Sequence, residues 1–278
     1  MNHFTPPPVG GYWDRLGVDV FFVLSGMLMS NILFTRRTPL TTFYQRRITR
    51  IFPVFLLYVL LIYAACYRFN LSSEYENFFY TLTFLRSYLP TEPHMWDTGI
   101  PVGHIWSLNV EEHCYVLLSL VALLKFMRGR EHWILLSIGV LCILIQVIYR
   151  SLPEIAPPGF NLRTEVVASH LMLSAGYFQI RDRIDPYVKP WMVIAAGILA
   201  VVCYIPQLLE WASWTLSPFA LAFAVNHLQQ LPRWGLAVLN WGPLRLLGLC
   251  SFSIYLWQWT KHQYILKEIE RWQKQIKV

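Results

Sequence analysis

Long apolar runs separated by short polar loops dominate the pattern of this chain. Residues 51–67, 133–149, 190–209 and 211–231 contain no Asp, Glu, Lys or Arg, and residues 16–34 contain only Asp19. A helix needs roughly 20 mainly apolar residues to cross the hydrocarbon core of a bilayer. Residues 105–124, 166–180 and 246–260 are further candidates. The pattern predicts an all-α fold, a polytopic transmembrane helical bundle with about eight to nine spans.

The composition agrees with a membrane setting. The 278 residues are 55% hydrophobic and only 14% charged, whereas a soluble domain carries about 25% charged residues. The net charge of +7 does not require a nucleic-acid partner, because the basic residues lie mainly in short loops between spans. Such loops favour the cytoplasmic side.

The basic loops also predict an orientation. Arg36, Arg37 and the arginines at 46, 47 and 50 lie between the first two spans, which places that loop in the cytoplasm. Residues 68–103 then lie outside. Eight spans would place the basic C-terminal tail outside as well, although basic segments favour the cytoplasmic side. We therefore expect a missed span or a re-entrant segment in residues 75–90 or 232–245.

No metal or disulfide pattern is present in the sequence. The five cysteines, at positions 66, 114, 142, 203 and 250, are scattered singly and suit packing better than zinc binding. We predict no metal site and no tightly bound cofactor.

Two adjacent glutamates near the head of an apolar run are the first candidates for chemistry. Glu111 and Glu112 precede a run without charge from Val116 to Leu124. At 3.6 residues per turn, His104, Ser107 and Glu111 share one helix face. A carboxylate at membrane depth usually faces a wet cavity and has a function. The alternative, a polar helix entry at the interface, remains open at this point.

Four motifs, in order, resemble those of one family. Residues 17–26 read GVDVFFVLSG, residues 43–53 read FYQRRITRIFP, residues 104–112 read HIWSLNVEE, and residues 247–257 read LGLCSFSIYLW. The chain thereby resembles the acyltransferase-3 family of integral membrane acyltransferases. The resemblance covers residues 17 to about 260. We divide the chain into an extracytoplasmic N-terminal segment (1–16), a membrane acyltransferase domain (17–262) and a basic tail (263–278).

The resemblance implies a reaction and its location. The family moves an acyl group, usually acetyl from cytoplasmic acetyl-CoA, to a hydroxyl that typically belongs to a cell-envelope sugar. It implies acyl-CoA as co-substrate, a carbohydrate or lipid-linked sugar as acceptor, contact with membrane lipid, and a multi-pass position in a bacterial inner membrane.

Three arginines suit the acyl-CoA side. Arg46 and Arg50 are four residues apart on one helix face, with Arg47 beside them. Guanidinium groups bind phosphate bidentately, so these three residues suit the phosphates of CoA. The alternative is the general enrichment of basic residues in cytoplasmic loops, which explains the positive charge but not the placement of these arginines on one helix face.

The beginning of the chain departs from the family pattern. The family's first helix, with its Arg and a catalytic His, is missing from the residues before Gly17. His3 lies about where that His would fall, and is either its remnant or an unrelated loop residue. Asp19 is a candidate to orient an imidazole; the alternative is an N-cap of its helix.

The remaining site candidates surround the two glutamates. Glu111 matches the family position. His104 is a candidate general base or a partner of Glu111, and Tyr115 is four residues beyond Glu111. Four more residues are candidates to contact the substrate or to support the site structurally: Trp106, Ser107, Arg163 and Glu165. For Arg163 and Glu165 the alternative is a simple ion pair at the membrane interface. His170 and His227 are interpreted as helix–helix hydrogen-bond partners.

Two other functions remain open. Intramembrane Glu, His and Arg also occur in transporters and flippases, although no inverted repeat is evident in the sequence. The third hypothesis is a truncated, inactive acyltransferase-like protein. Acetyl-CoA turnover distinguishes the enzyme from both.

Overall fold

The structure is a computed structural model. It describes residues 10–68, 77–89, 100, 102–205, 211–248, 250–251 and 254–256, with side chains from residue 15 onward. His3, the N-terminal residues before Gly10 and the basic tail at 263–278 lie outside the described residues.

The described part of the chain is helical and contains no β-strand. The α-helices are α1 Gly10–Ser30, α2 Leu40–Arg68, α3 Asn77–Leu82, α4 Trp106–Leu123, α5 Glu131–Ser151, α6 Thr164–Val167, α7 Ser169–Ile184, α8 Pro190–Val202, α9 Ala212–Thr215, α10 Ser217–Asn226 and α11 Arg233–Leu239. A π-helical segment, Asn31–Thr35, continues α1.

Three helices in the described residues are long and apolar enough to cross a membrane. They are Arg15–Thr35, Leu40–Arg68 and Glu131–Ser151, and the shorter apolar helices are Pro190–Val202 and Ser217–Asn226. α1 begins at Gly10, before the predicted start of its span at Leu16, because backbone hydrogen bonds continue past the apolar boundary. The predicted span at 246–260 lies partly outside the described residues.

Among the described residues, α3 and α11 lie in the two segments where the sequence predicts a missed span or a re-entrant segment. α3 has 6 residues and α11 has 7 residues. At 1.5 Å per residue, each is about 10 Å long, far short of a bilayer crossing. Neither α3 nor α11 by itself is therefore long enough to be a membrane span.

The chain divides into two compact units. The first unit comprises the described residues of 1–44 and 110–238, and the second those of 45–109 and 239–278. In the first unit α7 is central, packing on α1, α5 and α10, while α10 also packs on α8. Gly26 permits the close approach of α1 and α7, since a Cβ there would lie 2.2 Å from the Leu171 carbonyl oxygen.

The second unit has an aromatic-rich core. Its fully buried members include Phe55, Tyr58 and Val59 on α2 together with Ile105. Phe55 and Phe84 stack with ring centroids 5.0 Å apart. This core surrounds the start of α4, where His104 and Ser107 lie.

Candidate active site

A buried carboxylate with two hydroxyl partners forms the first candidate centre, called here the Glu111 cluster (Ser25, Glu111 and Tyr115). α1 supplies Ser25 and α4 supplies the other two residues. Ser25 Oγ donates to Glu111 Oε1 at 2.8 Å, and the Tyr115 hydroxyl donates to the same oxygen. The two hydroxyls are also in contact with each other. One carboxylate oxygen therefore collects two O–H groups in a closed environment.

The helical spacing explains part of this geometry. Glu111 and Tyr115 are four residues apart on α4, which brings their side chains together on one face. Ser25 comes from a different helix, and packing alone brings it to Glu111. Glu112, the adjacent glutamate, is half-buried, whereas Glu111 is buried. The structure thus distinguishes two residues that are identical in chemistry.

A second buried network surrounds Asp19 and is called here the Asp19 cluster (Arg15, Asp19, His170, Tyr204 and Ser217). Asp19 Oδ2 accepts hydrogen bonds from Arg15 Nε at 3.1 Å and from the Tyr204 hydroxyl at 2.6 Å. Ser217 Oγ donates to the Tyr204 oxygen at 2.9 Å. α1, the turn after α8 and α10 therefore all contribute to the hydrogen bonds around this carboxylate.

An imidazole completes the Asp19 cluster. His170 Nδ1 lies 3.7 Å from Asp19 Oδ1, and His170 Nε2 lies 3.3 Å from Ser217 Oγ. Among the described residues, His170 is the imidazole that contacts Asp19. His3, the predicted partner of Asp19, lies outside the described residues.

The alternative that Asp19 caps its helix is wrong. α1 begins at Gly10, so Asp19 lies in the interior of the helix and not at its first turn. Its side chain is almost fully buried and bonds to other side chains. A cap bonds to free backbone N–H groups at the helix start, and none is available in the middle of α1.

His104 occupies an aromatic environment in the second unit. It lies in a 3₁₀ turn, Gly103–Ile105, directly before α4, and its ring meets the rings of Tyr58 and Tyr255 edge-on. Burial lowers the pKa of His104 to about 4, although a hydrogen bond to the Leu256 backbone acts in the opposite direction. The imidazole is therefore neutral at pH 7 and a weak base.

Ser107 and Trp106 belong to the same region of the second unit. Ser107 Oγ and the Tyr255 hydroxyl lie 2.8 Å apart, and the Tyr255 hydroxyl also donates to the His104 carbonyl oxygen. Trp106 is buried at the first residue of α4. Tyr255 thus anchors the chain just before the helix that carries Glu111.

The three predicted acyl-CoA arginines lie within α2, several residues after its start at Leu40. Arg46 and Arg50 are exposed, one turn apart on the same helix, and Arg47 is half-buried. Their exposure leaves Arg46 and Arg50 accessible to a phosphate ligand from solution.

Arg163 and Glu165 form a weak pair in the first unit. Arg163 Nη1 lies 4.0 Å from Glu165 Oε1, at the start of α6. The residue between them, Thr164, contacts the ring of His113 on α4, with Thr164 Oγ1 2.7 Å from His113 Nδ1. This contact ties the start of α6 to the helix of Glu111.

A family comparison decides the identity of the chain. A family model described as an acyltransferase domain matches residues 1–273. The chain belongs to the acyltransferase-3 family. The resemblance predicted from four sequence motifs is thereby confirmed.

Named relatives of this acyltransferase-3 chain are similar at low identity. Peptidoglycan O-acetyltransferase OatA of Listeria monocytogenes is 25% identical over 304 residues, covering 90% of this chain and 44% of the relative. O-acetyltransferase OatA of Staphylococcus aureus is 23% identical over 278 residues, covering 90% and 46%. An uncharacterized protein of Haemophilus influenzae is 31% identical over 140 residues, covering 46% and 57%.

The chain spans about half the length of the curated relatives it matches. No solved structure matches it. The family and its membrane-protein relatives agree with the apolar helices in describing an integral membrane protein.

The sequence pattern does not identify three residues of these clusters. Ser25 lies in the GVDVFFVLSG motif, and Tyr204 and Ser217 lie within later apolar runs, where no spacing indicates a role for them. Polar side chains inside apolar runs were the available signal, because such groups seek partners inside a membrane protein. Their partners come from distant helices and are invisible to local spacing.

His227 marks a further polar contact at the end of α10. Its Nδ1 lies 2.7 Å from Asp185 Oδ1 and its Nε2 lies 2.8 Å from the Tyr177 hydroxyl. His227 is fully buried, and the contact links α7 to α10 as a helix–helix hydrogen bond does. Within the described residues, no group of three or more His, Cys, Asp or Glu side chains could hold a metal ion.

Proposed function

We propose that this protein is a membrane-bound O-acyltransferase that moves an acyl group, acetyl in the first instance, from cytoplasmic acyl-CoA to a hydroxyl of a cell-envelope carbohydrate. Family membership supports the reaction type, and two of the relatives are O-acetyltransferases by name. We further propose eight to nine membrane spans and a bacterial inner-membrane location. The observation that carries the proposal is the Glu111 cluster within such a chain.

The Glu111 cluster supplies proton-handling chemistry. In the reaction, the acceptor oxygen attacks the thioester carbonyl, a C–O bond forms, the C–S bond breaks, and the hydroxyl proton ends on the CoA thiolate. A carboxylate that shares two O–H groups holds and releases protons over a short distance. We propose that the Ser25 and Tyr115 hydroxyls hold the Glu111 carboxylate in one orientation, from which it relays a proton during the transfer. His3 remains the predicted general base and Asp19 its predicted partner.

The acyl-CoA side rests on α2. Arg46 and Arg50 present two guanidinium groups one turn apart, and both are exposed. Phosphate groups bind guanidinium through charge-assisted hydrogen bonds. We propose that these two residues and Arg47 hold the phosphates of CoA, with no tightly bound cofactor required.

The experiment measures CoA binding and acetyl-CoA turnover by the purified full chain. The double variant Arg46→Ala, Arg50→Ala should bind CoA at least about ten-fold more weakly, because a hydrogen bond to a charged group contributes roughly 1.5–3 kcal/mol. Arg68→Ala, at the far end of α2, is the matched control and should bind CoA as the parent does. Equal CoA affinity in parent and double variant would exclude the arginine site.

A transporter is the second candidate function. Buried ionisable groups in the Asp19 cluster and at His227 are features that transporters also use. Turnover of acetyl-CoA, with acetyl recovered on a carbohydrate acceptor, supports the enzyme. Transport of a solute without such turnover supports the transporter.

A further inference from the structure

A cavity lies in the first unit where α1 and α7 end. Its volume is about 250 Å³, and its walls include the π-helical segment after α1 and the last turns of α7. Met27, Leu28 and Phe178 form an apolar wall, and Asn31 and Gln179 are part of a polar wall. π-Helical turns occur frequently at functional sites. None of the residues assigned to the reaction lines this cavity.

The polar wall contains hydrogen-bond donors from two side chains. Arg181 lines the cavity, and its guanidinium lies over the Phe178 ring at 4.3 Å. Its Nε donates to Asp182 and its Nη1 to the Asn226 carbonyl oxygen, which leaves Nη2 for a ligand. Gln179 Nε2 is buried and has no hydrogen-bond partner among the described residues. A buried donor of this kind favours an acceptor that enters the cavity.

The cavity carries one charge of each sign. Asp182 also lines it, and its side chain is 84% exposed, whereas that of Arg181 is 23% exposed. A cation near the wall and an anion near the opening match a ligand that has a phosphate and an ammonium group a few bonds apart. A purely anionic ligand would meet repulsion from Asp182.

The location of the cavity points to a lipid. Leu28 is 50% exposed within the candidate span Arg15–Thr35, so the apolar wall continues onto a surface suited to hydrocarbon. Arg36 and Arg37 lie just beyond the π-helical segment, and Arg183 lies in the last turn of α7. Such residues favour the cytoplasmic surface. The cavity is smaller than the roughly 300–1,000 Å³ of sites for drug-sized ligands. That volume suits a lipid headgroup better than a whole CoA molecule.

We propose that this cavity binds the phosphoethanolamine headgroup of a glycerophospholipid from the cytoplasmic leaflet. Arg181 and Gln179 donate to the phosphate, Asp182 accepts from the ammonium group, and the acyl chains continue along Leu28. The site is independent of acyl transfer, so its failure and the failure of the proposed enzyme activity are separate results.

The first test measures headgroup preference. The purified full chain is delipidated in detergent, and binding of phosphatidylethanolamine, phosphatidylcholine and phosphatidylglycerol in mixed micelles is followed by native mass spectrometry. Phosphatidylethanolamine should bind most tightly, because only its ammonium group donates N–H hydrogen bonds to Asp182. Equal binding of all three lipids would overturn the proposal, since it indicates a non-specific lipid surface.

The second test uses variants of the cavity wall. Arg181→Gln should weaken phosphatidylethanolamine binding about ten-fold, and Gln179→Met should weaken it less. Arg183→Gln, an exposed arginine two residues further along the chain, is the matched control and should bind as the parent does. Equal losses in Arg181→Gln and Arg183→Gln would show general charge attraction and overturn the site. Gln179→Met tests the cavity even if Arg181→Gln fails to fold.

The third test uses a variant that should change the affinities for two lipids in opposite directions. Asp182→Ala should lower affinity for phosphatidylethanolamine and raise affinity for phosphatidylglycerol, because it removes the ammonium acceptor and the repulsion of the anion together. A parallel change for both lipids contradicts the proposed geometry. Displacement of phosphatidylethanolamine by CoA would assign the cavity to the acyl donor and also overturn the lipid proposal.

Discussion

Glu111 in the first unit and His104 in the second unit are buried to the same extent, with 5% and 6% of their surface exposed. Their surroundings differ. Glu111 receives two hydroxyl hydrogen bonds on one oxygen, whereas His104 is flanked by the aromatic rings of Tyr58 and Tyr255. The hydroxyl groups around Glu111 can exchange protons with its carboxylate. The aromatic rings around His104 exclude water and so favour the neutral form of the imidazole.

The comparison teaches that burial alone does not identify a catalytic residue. His104 has a pKa of about 4 because of burial, so it is poorly matched to proton abstraction at neutral pH. Its predicted catalytic role stays a prediction, and its surroundings fit a packing role better. Glu111 has partners with exchangeable protons. The Asp19 cluster resembles the Glu111 cluster in this respect but adds a cation.

The largest expected effect is a loss of stability when Asp19 is replaced. Unlike Glu111, this buried carboxylate has a charged partner, Arg15. Asp19→Ala leaves Arg15 and Tyr204 without their shared acceptor. Breaking a buried ion pair costs about 3–5 kcal/mol, and we expect the lower end because the Arg15 side chain is 30% exposed. Chemical denaturation in detergent measures the free energy of unfolding. Glu154→Ala, at an exposed glutamate, should change it by less than about 0.5 kcal/mol. Similar losses in both variants would contradict the structural role of Asp19.

The second prediction tests the aromatic surroundings of His104. Its pKa is about 4 in the folded protein and about 6.5 in the unfolded chain. The unfolded state therefore binds more protons between these values, so stability is complete above pH 6.5 and falls as the pH drops toward 4, by about 3 kcal/mol in total.

Denaturation series between pH 7 and pH 4 measure this loss. His104→Gln should reduce the pH slope in this window, because it removes one imidazole whose pKa is lowered by burial. The slope that remains includes the contribution of His132, whose pKa burial also lowers. An unchanged slope in the variant would assign the acid sensitivity to other residues and weaken the contrast with Glu111.

The third prediction sharpens the role of Glu111. Glu111→Gln keeps an acceptor oxygen for Ser25 and Tyr115 but removes the charge, so acyl transfer should fall more than about ten-fold, equivalent to 1.4 kcal/mol, while stability changes little. Glu112→Gln is the matched control and should lose less activity. Turnover of acetyl-CoA at equal protein concentration provides the measurement. Equal losses at the two positions, or unfolding of the Glu111 variant, would indicate a structural carboxylate.

The smallest expected effect separates the two hydroxyls of the Glu111 cluster. Ser25→Ala removes one donor, while the Tyr115 hydroxyl remains on the same oxygen. We expect a loss of about 1 kcal/mol in unfolding free energy and a few-fold loss of turnover. A control at Ser137, on α5, should leave both unchanged when replaced by Ala. No loss at Ser25 would show that Tyr115 alone holds Glu111.

The positions of the longest helices were predictable from the sequence. The apolar runs at 51–67 and 133–149 correspond to α2 and α5, because a continuous apolar run has one stable arrangement in a membrane. Helix ends were less predictable, as α1 shows by starting at Gly10. Hydropathy measures side chains, whereas helix ends depend on backbone hydrogen bonds and neighbouring contacts.

The candidate site was predictable only where its members are close in the chain. The sequence alone determined the all-helical class, the family, the Glu111–Tyr115 spacing on one face and the paired arginines of α2. Only the tertiary structure decided that Ser25 meets Glu111, that Asp19 meets Tyr204 and His170, and that His104 lies among aromatic rings. The physical reason is that helical periodicity specifies which side chains share a face, while the partner of that face comes from packing between helices distant in the chain.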